Sequence, residues 1–407
     1  RAAFTWVTEK MKSELSIPLI TTNRINTPEV AEEVLANGHA DMVSMARPFL
    51  ADENFVNKAA EDKSDEINTC IGCNQACLDH VFQQKRASCL VNPAACYETE
   101  LTFEKTSQSK SIAVVGAGPA GLAFSVYAAQ RGHKVKIFDR MSEIGGQFNF
   151  AKQIPGKEEF FETLRYFNKQ IELLNISVEL NVDQSAEQLA LQGFDEVVLA
   201  TGIKPRALAI KGIDNPIVKS YLQVLRDKEV IGRKVAIIGA GGIGFDVATF
   251  LCEEKSLTVD AEAWLKDWGV DKTFQHDAAL SKEFIKHPPI REVALLQRKT
   301  TKVGAGLGKT TGWIHRATLA KHGVKMIKGV SYKAITDEGI LIEVDGKEQM
   351  LDVDNVIICA GQQPNRDLYQ ELIDAGVTTH LIGGADAAVE LDAKLAIRQA
   401  AELAASI

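Results

Sequence analysis

The chain has 407 residues, 45% of them hydrophobic and 25% charged, and carries a formal net charge of −8. That length builds two or three domains with sizeable cores, and the composition is ordinary for a globular protein. The acidic balance leaves no basic surface for nucleic acid, no apolar run approaches a membrane span, and no signal-peptide core opens the chain. A cytoplasmic protein with neither nucleic-acid nor membrane partner is therefore expected.

Residues 1–60 alternate helix and strand. The sequence starts at Arg1 within a helical pattern, AAFTWVTEKMKSEL, without an initiating Met, and reads as the C-terminal part of a longer protein. Ile17–Thr21 is a buried-strand candidate. Thr27 then caps a helix with Pro28 at its first position, and Gly38 ends it. Asp41–Met45 is a second strand, followed by Ala46, Arg47 and Pro48. Strand–helix–strand units build parallel sheets and barrels, and two strands cannot close a barrel.

Residues 61–110 hold Cys70, Cys73, Cys77 and Cys89, spaced Cys-x2-Cys-x3-Cys-x11-Cys, and a polar linker. Four thiolates around one point make a soft, anionic ligand set suited to zinc or to an iron–sulfur cluster, and the spacing alone does not separate the two. Two nucleotide-binding fingerprints come next, and a redox cluster beside redox cofactors has a function that zinc lacks, so [4Fe–4S] is favoured. Disulfides are disfavoured, since nothing suggests an oxidising compartment. Cys96, Cys252 and Cys359 read as reduced bystanders.

Two strand–turn–helix segments carry G-x-G-x-x-G. Gly116, Gly118 and Gly121 form the first, and Gly239, Gly241 and Gly244 the second. In each, the first glycine turns the chain out of the strand. The second admits a pyrophosphate to the backbone. The third lets helix pack on strand, and the helix N-terminus stabilises the anion. Both copies come after an apolar strand and open a helix, which is the confirming context.

Beyond their helices the two segments diverge. Asp139 lies at the end of KVKIFD, where a carboxylate can bind the ribose hydroxyls of an adenine nucleotide. The strand expected beside the second turn ends in Gln297, Arg298 and Lys299. Cations there pair with a 2′-phosphate and favour NADP over NAD. The alternative is a merely solvated strand end, and about 40 intervening residues loosen the assignment. The loop VGAGLGKTT around Lys309 mimics a P-loop, but Val303 stands where the Walker pattern requires glycine.

The nested order of fingerprint, ATGIKPR, second fingerprint and CAGQQPN resembles the two-dinucleotide-binding flavoproteins, in which an NAD(P)H domain interrupts an FAD domain. TTNRINTPEVAEEVLANGHADMVSMARPFL followed by CIGCNQAC resembles an Old Yellow Enzyme-type barrel joined to a [4Fe–4S] linker. NTCIGCNQACLD, EIGGQFNFAKQIPGKEEF and GLGKTTGWIHR narrow the likeness to the NADPH-dependent 2,4-dienoyl-CoA reductases of bacteria, with trimethylamine dehydrogenase a more distant relative.

The resemblance implies an α/β fold in four parts. These are the C-terminal remnant of an FMN-binding TIM barrel (1–60), a cluster segment (61–110), an FAD-binding domain (111–230 and 351–407) and an NADPH-binding domain (231–350), the last two Rossmann-like. It implies that Cys70, Cys73, Cys77 and Cys89 hold the cluster. It assigns Gly116, Gly118, Pro119, Ala120, Gly121, Asp139, Gly146, Gln147, Lys157, Gly383, Gly384 and Asp386 to FAD. Gly239, Gly241, Gly242, Gly244, Arg298 and Lys299 fall to NADPH, and Asn23, Arg24, Ala46 and Arg47 to the FMN phosphate.

The implied activity moves electrons from NADPH through FAD and the cluster to FMN, which reduces 2,4-dienoyl-CoA during β-oxidation of unsaturated fatty acids. The family's substrate-protonating Tyr and His lie before residue 1, so no catalytic acid is assigned. His80 and Tyr97, beside the cluster, are not those groups. Two other readings stay open: an electron-transfer subunit serving a separate partner, and a zinc-stabilised nucleotide sensor. The sequence does not set the oligomeric state, and a monomer is compatible with it.

Overall fold

The computed structural model describes residues 1–281, 285, 287–388 and 392–407. The chain divides into two units. Arg1–Asn149, Glu159–Lys204 and Gln363–Ile407 form the first, and Phe150–Glu158 with Pro205–Gln362 the second.

The first unit begins with the strand–helix–strand piece. Ile20–Thr22 and Met42–Ser44 pair in parallel, Ile20 opposite Met42. The helix Pro28–Ala36 lies between them in sequence, with Thr27 Oγ1 accepting from Val30 N at 3.4 Å. Among the described residues the two strands form an open pair and no closed barrel. Their apolar side chains Ile20 and Met42 stay more than half exposed.

The rest of this unit is built on a five-stranded parallel sheet. Its order is Thr379–Leu381, Glu196–Leu199, Ser111–Val115, Lys134–Asp139, Ser177–Leu180. Its central strands are near-continuous apolar runs because a parallel sheet is covered on both faces. Side chains alternate. Ile112 and Val114 join one core with the helices Pro119–Gln130 and Ala393–Ser406, and Ala113 joins the opposite core with Leu189 and Leu372. Alanines bring those two helices together: Ala123, Ala128, Ala400 and Ala404 are all buried.

The second unit has its own five-stranded parallel sheet, ordered Lys325–Ile327, Glu292–Leu296, Lys234–Ile238, Asn355–Ile358, Val218–Ser220. Two of these strands, Val218–Ser220 and Asn355–Ile358, come from stretches that the resemblance assigns to the FAD domain. They are hydrogen-bonded here because the sheet recruits apolar segments from both sides of the glycine turn. An antiparallel sheet (Ser331–Thr336, Gly339–Val344, Lys347–Asp352) covers one face. Its second hairpin turns at Asp345 and Gly346, both at positive φ, as a two-residue primed turn requires. Among the described residues, no helix is long and apolar enough to cross a membrane.

Candidate functional site

The four cysteines line a single pocket with Arg47, Ile71 and Asn74. The loop can wrap it because Gly72 and Asn74 both adopt positive φ (65° and 62°). Burial raises the Cys70 and Cys73 thiols and pushes Cys89 up to about 12. Backbone N–H groups of Gly72, Gln75, Val91 and Asn92 donate to these sulfurs and oppose that rise. On Cys70 the charge of Arg47 acts in the same direction, as does that of Arg24. A thiol raised by burial in this way would bind a metal as its thiolate. Among the described residues no three His, Cys, Asp or Glu side chains converge closely enough to hold a single metal ion.

Two networks fix this segment. Asp52, almost fully buried, accepts from Lys58 Nζ (2.7 Å), Asn54 N (3.0 Å) and Asn68 N (2.8 Å). Arg165, on the helix Phe160–Leu173, donates to the carbonyls of Asp65 and Ile67 and to Thr69 Oγ1.

Of the residues assigned to an FMN phosphate, Asn23 and Arg24 form a turn with consecutive positive φ values, 85° and 58°. Arg24 pairs with Glu159 at 3.5 Å and covers Gly72 so closely that a Cβ there would lie 1.7 Å from its guanidinium. Asn26, two residues on, donates to the Cys70 carbonyl at 2.8 Å. Ala46 precedes the short helix Arg47–Ala51, and Arg47 donates to Asn74 Oδ1 at 2.7 Å. Both arginines therefore face the cysteine segment, a direction that sequence alone does not carry.

The first glycine turn joins strand Ser111–Val115 to helix Pro119–Gln130. Backbone crowds two of its glycines. A Cβ on Gly116 would meet Ala200 O at 2.4 Å, and one on Gly121 would meet Gly116 O at 1.9 Å. Gly118 has only Gly146 Cα near, at 4.0 Å. Gly146 in turn packs on Gly118, and Gly383 on Ala120, so the structure gathers three distant glycine segments around one helix start. Gly384 sits against Gly202, and Asp386 Oδ2 accepts from Gln399 Nε2 at 2.6 Å. Gln147 is exposed in the turn after Gly146.

A cavity of about 380 Å³ opens beside this turn, lined by Gly116, Asp139, Arg140, Ser185, Thr201 and Asn365 among others. Asp139 accepts from Ala117 N at 2.6 Å and from Met141 N at 2.8 Å. Its carboxylate braces the turn and keeps lone pairs for a hydroxyl.

The second turn, between Lys234–Ile238 and Gly242–Cys252, repeats the geometry. A Cβ on Gly239 would meet Ala360 at 2.9 Å, and one on Gly244 would meet Gly239 O at 1.8 Å. Gly241 and Gly242 have nothing within 4 Å. The strand Glu292–Leu296 lies directly beside Lys234–Ile238 despite the intervening insertion, so Gln297, Arg298 and Lys299 sit at the expected strand tip. The role of Gln297 is not legible in the sequence. Its Nε2 donates to the carbonyls of Lys299 (3.0 Å) and Thr301 (2.8 Å), curling the loop on which Arg298 and Lys299 stand exposed.

Lys157 belongs to this second unit, where it pairs with Asp246 at 2.6 Å. His315 lies close by. Burial and then the Lys157 charge hold its imidazole below the usual range. Nothing in sequence spacing joins Lys157, Asp246 and His315.

Residues 110–396 match the pyridine nucleotide-disulphide oxidoreductase family, and residues 1–66 the NADH:flavin oxidoreductase / NADH oxidase family. The chain is 34% identical over 376 residues to a metal reductase of Desulforamulus reducens, covering 91% of this chain and 55% of that protein. It is 30% identical over 385 residues to a cinnamate reductase of Clostridium sporogenes, covering 93% and 52%. The solved structure of a 2-naphthoyl-CoA reductase with 2-naphthoyl-CoA superposes with a TM-score of 0.84 at 28% identity, over 98% of this chain and 55% of that one. The chain thus spans about half the length of the relatives it matches.

Proposed function

The chain belongs to the pyridine nucleotide-disulphide oxidoreductase family, and from that premise we propose that it is the NADPH-, FAD- and cluster-bearing part of an iron–sulfur flavoprotein that reduces activated carbon–carbon double bonds. FAD bound at the first glycine turn would supply hydride acceptance from NADPH, a [4Fe–4S] centre held by Cys70, Cys73, Cys77 and Cys89 would supply one-electron transfer, and FMN would supply reduction of the substrate. The chain's own residues hold and orient these groups.

Cys70, Cys73, Cys77 and Cys89 each supply one thiolate, and the surrounding backbone N–H groups offset part of the charge. Four cysteines sharing one pocket, in a chain that also carries two nucleotide-binding turns, favour a redox-active iron–sulfur centre over structural zinc. The open side of Gly118, with the helix start behind it, takes the FAD pyrophosphate, and Asp139 takes the adenosine ribose. Gly241 and Gly242 do the same for NADPH, and Arg298 and Lys299 meet its 2′-phosphate. Asn23, Arg24, Ala46 and Arg47 supply only part of an FMN site.

The acceptor is a double bond conjugated to a carbonyl or thioester. 2,4-Dienoyl-CoA is the case implied by sequence resemblance, and the names of two relatives point to cinnamate and 2-naphthoyl-CoA. The observation that carries this reading is the four-cysteine pocket standing in the same unit as an open glycine turn. Metal and flavin content of the anaerobically purified chain tests it. About four irons and one FAD are expected, and Cys89→Ser is expected to lose iron while keeping FAD. Zinc in place of iron would overturn the relay.

A further inference from the structure

Gln399, on the helix Ala393–Ser406, grips the last glycine segment at both ends. Its Oε1 accepts from Gly383 N at 2.7 Å, and its Nε2 donates to Asp386 Oδ2 at 2.6 Å. Between those two contacts lies one tight, buried turn, Gly383–Ala385. Gly383 rests against Ala120, at the start of the helix that follows the first glycine turn, and Gly384 against Gly202. Arg366 braces the backbone of the same turn, donating to the carbonyls of Ala385 (2.8 Å) and Asp386. Its guanidinium comes to 3.8 Å from Asp386 Oδ1. The glutamine thus fixes one carboxylate oxygen with a neutral donor, and the carboxylate keeps its charge and its second oxygen for a hydroxyl.

We propose that Gln399 is a positioning residue for FAD, setting the rotation of the Asp386 carboxylate so that its second oxygen accepts from the ribityl hydroxyls. The inference rests on the reading that the first glycine turn holds FAD. With the pyrophosphate on that turn and Asp139 on the adenosine ribose, the remaining hydroxyls belong to the ribityl chain on the far side of the phosphates. Asp386 is a carboxylate brought to the same helix start, through the contact of Gly383 with Ala120. A half-exposed carboxylate left to rotate would have to be ordered on binding, which weakens the complex; one already held by Gln399 does not.

The test is a titration of FAD into the FAD-stripped chain, read by flavin fluorescence across a range of pH. Gln399→Glu keeps the acceptor for Gly383 N and replaces the donor with a carboxylate facing Asp386. Two carboxyls at hydrogen-bond distance share a proton at low pH and repel once it leaves. FAD affinity is therefore expected near wild type at the acid end and about tenfold lower at the alkaline end, a fall that wild type does not show. The charged groups facing the pair are Arg366 and, along the helix, Lys394 with Asp392 and His80, and Arg398 with Glu402. The helix Pro119–Gln130 carries no charged residue. These groups are common to both proteins, so a difference between the two profiles belongs to the pair. Adding Asp386→Asn to Gln399→Glu leaves one carboxyl, and the pH dependence is expected to vanish. A Gln399→Glu profile parallel to wild type, or one that survives Asp386→Asn, overturns the proposal. Gln399→Met serves where Gln399→Glu does not fold: it is expected to lose about tenfold in FAD affinity at every pH, and an affinity equal to wild type overturns the proposal. A wild-type chain that takes up no FAD would overturn the FAD reading itself, and this inference with it.

Discussion

The two glycine turns are nearly the same piece of backbone, yet their surroundings divide the work differently. In both, the first and third glycines are pressed against backbone at 1.8 to 2.9 Å from a built Cβ, whereas a Cβ on the middle glycine would meet nothing nearer than 4.0 Å. The strand tips beside them diverge. Asp139 is tied to Ala117 and Met141 by two backbone N–H groups, so its charge also braces the first turn. Arg298 and Lys299 stand exposed on a loop curled by Gln297, and their charges are available to a ligand. On the proposed reading, the turn takes the pyrophosphate of either nucleotide and the neighbouring strand tip selects between them.

That division can be broken experimentally. The largest effect is expected at Gly244→Ala, where the new methyl group would lie 1.8 Å from Gly239 O. Helix and strand must separate, which costs about 3 kcal/mol, seen as a lowered melting temperature of the second unit with NADPH binding lost. Gly241→Ala is the sharper comparison. Its methyl group meets no protein atom, so the melt should stay within about 1 kcal/mol of wild type while NADPH affinity falls about tenfold or more. Equal destabilisation by both variants would mean that the middle glycine is structural too.

A smaller and more selective change is expected from Arg298→Ala combined with Lys299→Ala. Losing charge-assisted bonds worth about 1.5–3 kcal/mol should raise KM for NADPH roughly 10- to 100-fold and leave NADH nearly untouched. Equal losses for the two nucleotides would mean that these cations do not read the 2′-phosphate.

The glycine turns and the cysteine spacing were readable because they are local. Each needs only a strand, a helix start or a short loop, and the residues stand close together in the chain. The sheet membership of Val218–Ser220 and Asn355–Ile358 was less readable, since short apolar strands carry no label for the sheet they join. Arg24 and Arg47 show the deeper limit. Their positions after two barrel-type strands suggest a phosphate, but where a long side chain points depends on packing, and here both are directed at the cysteine segment. The pairing of Lys157 with Asp246 is hidden for the same reason, because the two residues meet only through the fold.

The central claim is that one chain couples a pyridine nucleotide to an iron–sulfur centre through a flavin. Anaerobic titration of the iron- and FAD-replete chain with NADPH, with the visible spectrum and electron paramagnetic resonance read together, tests it most directly. The flavin is expected to bleach, and the paramagnetic signal of the reduced cluster is then expected to appear. Bleaching of the flavin with a cluster that stays oxidised throughout would contradict the claim.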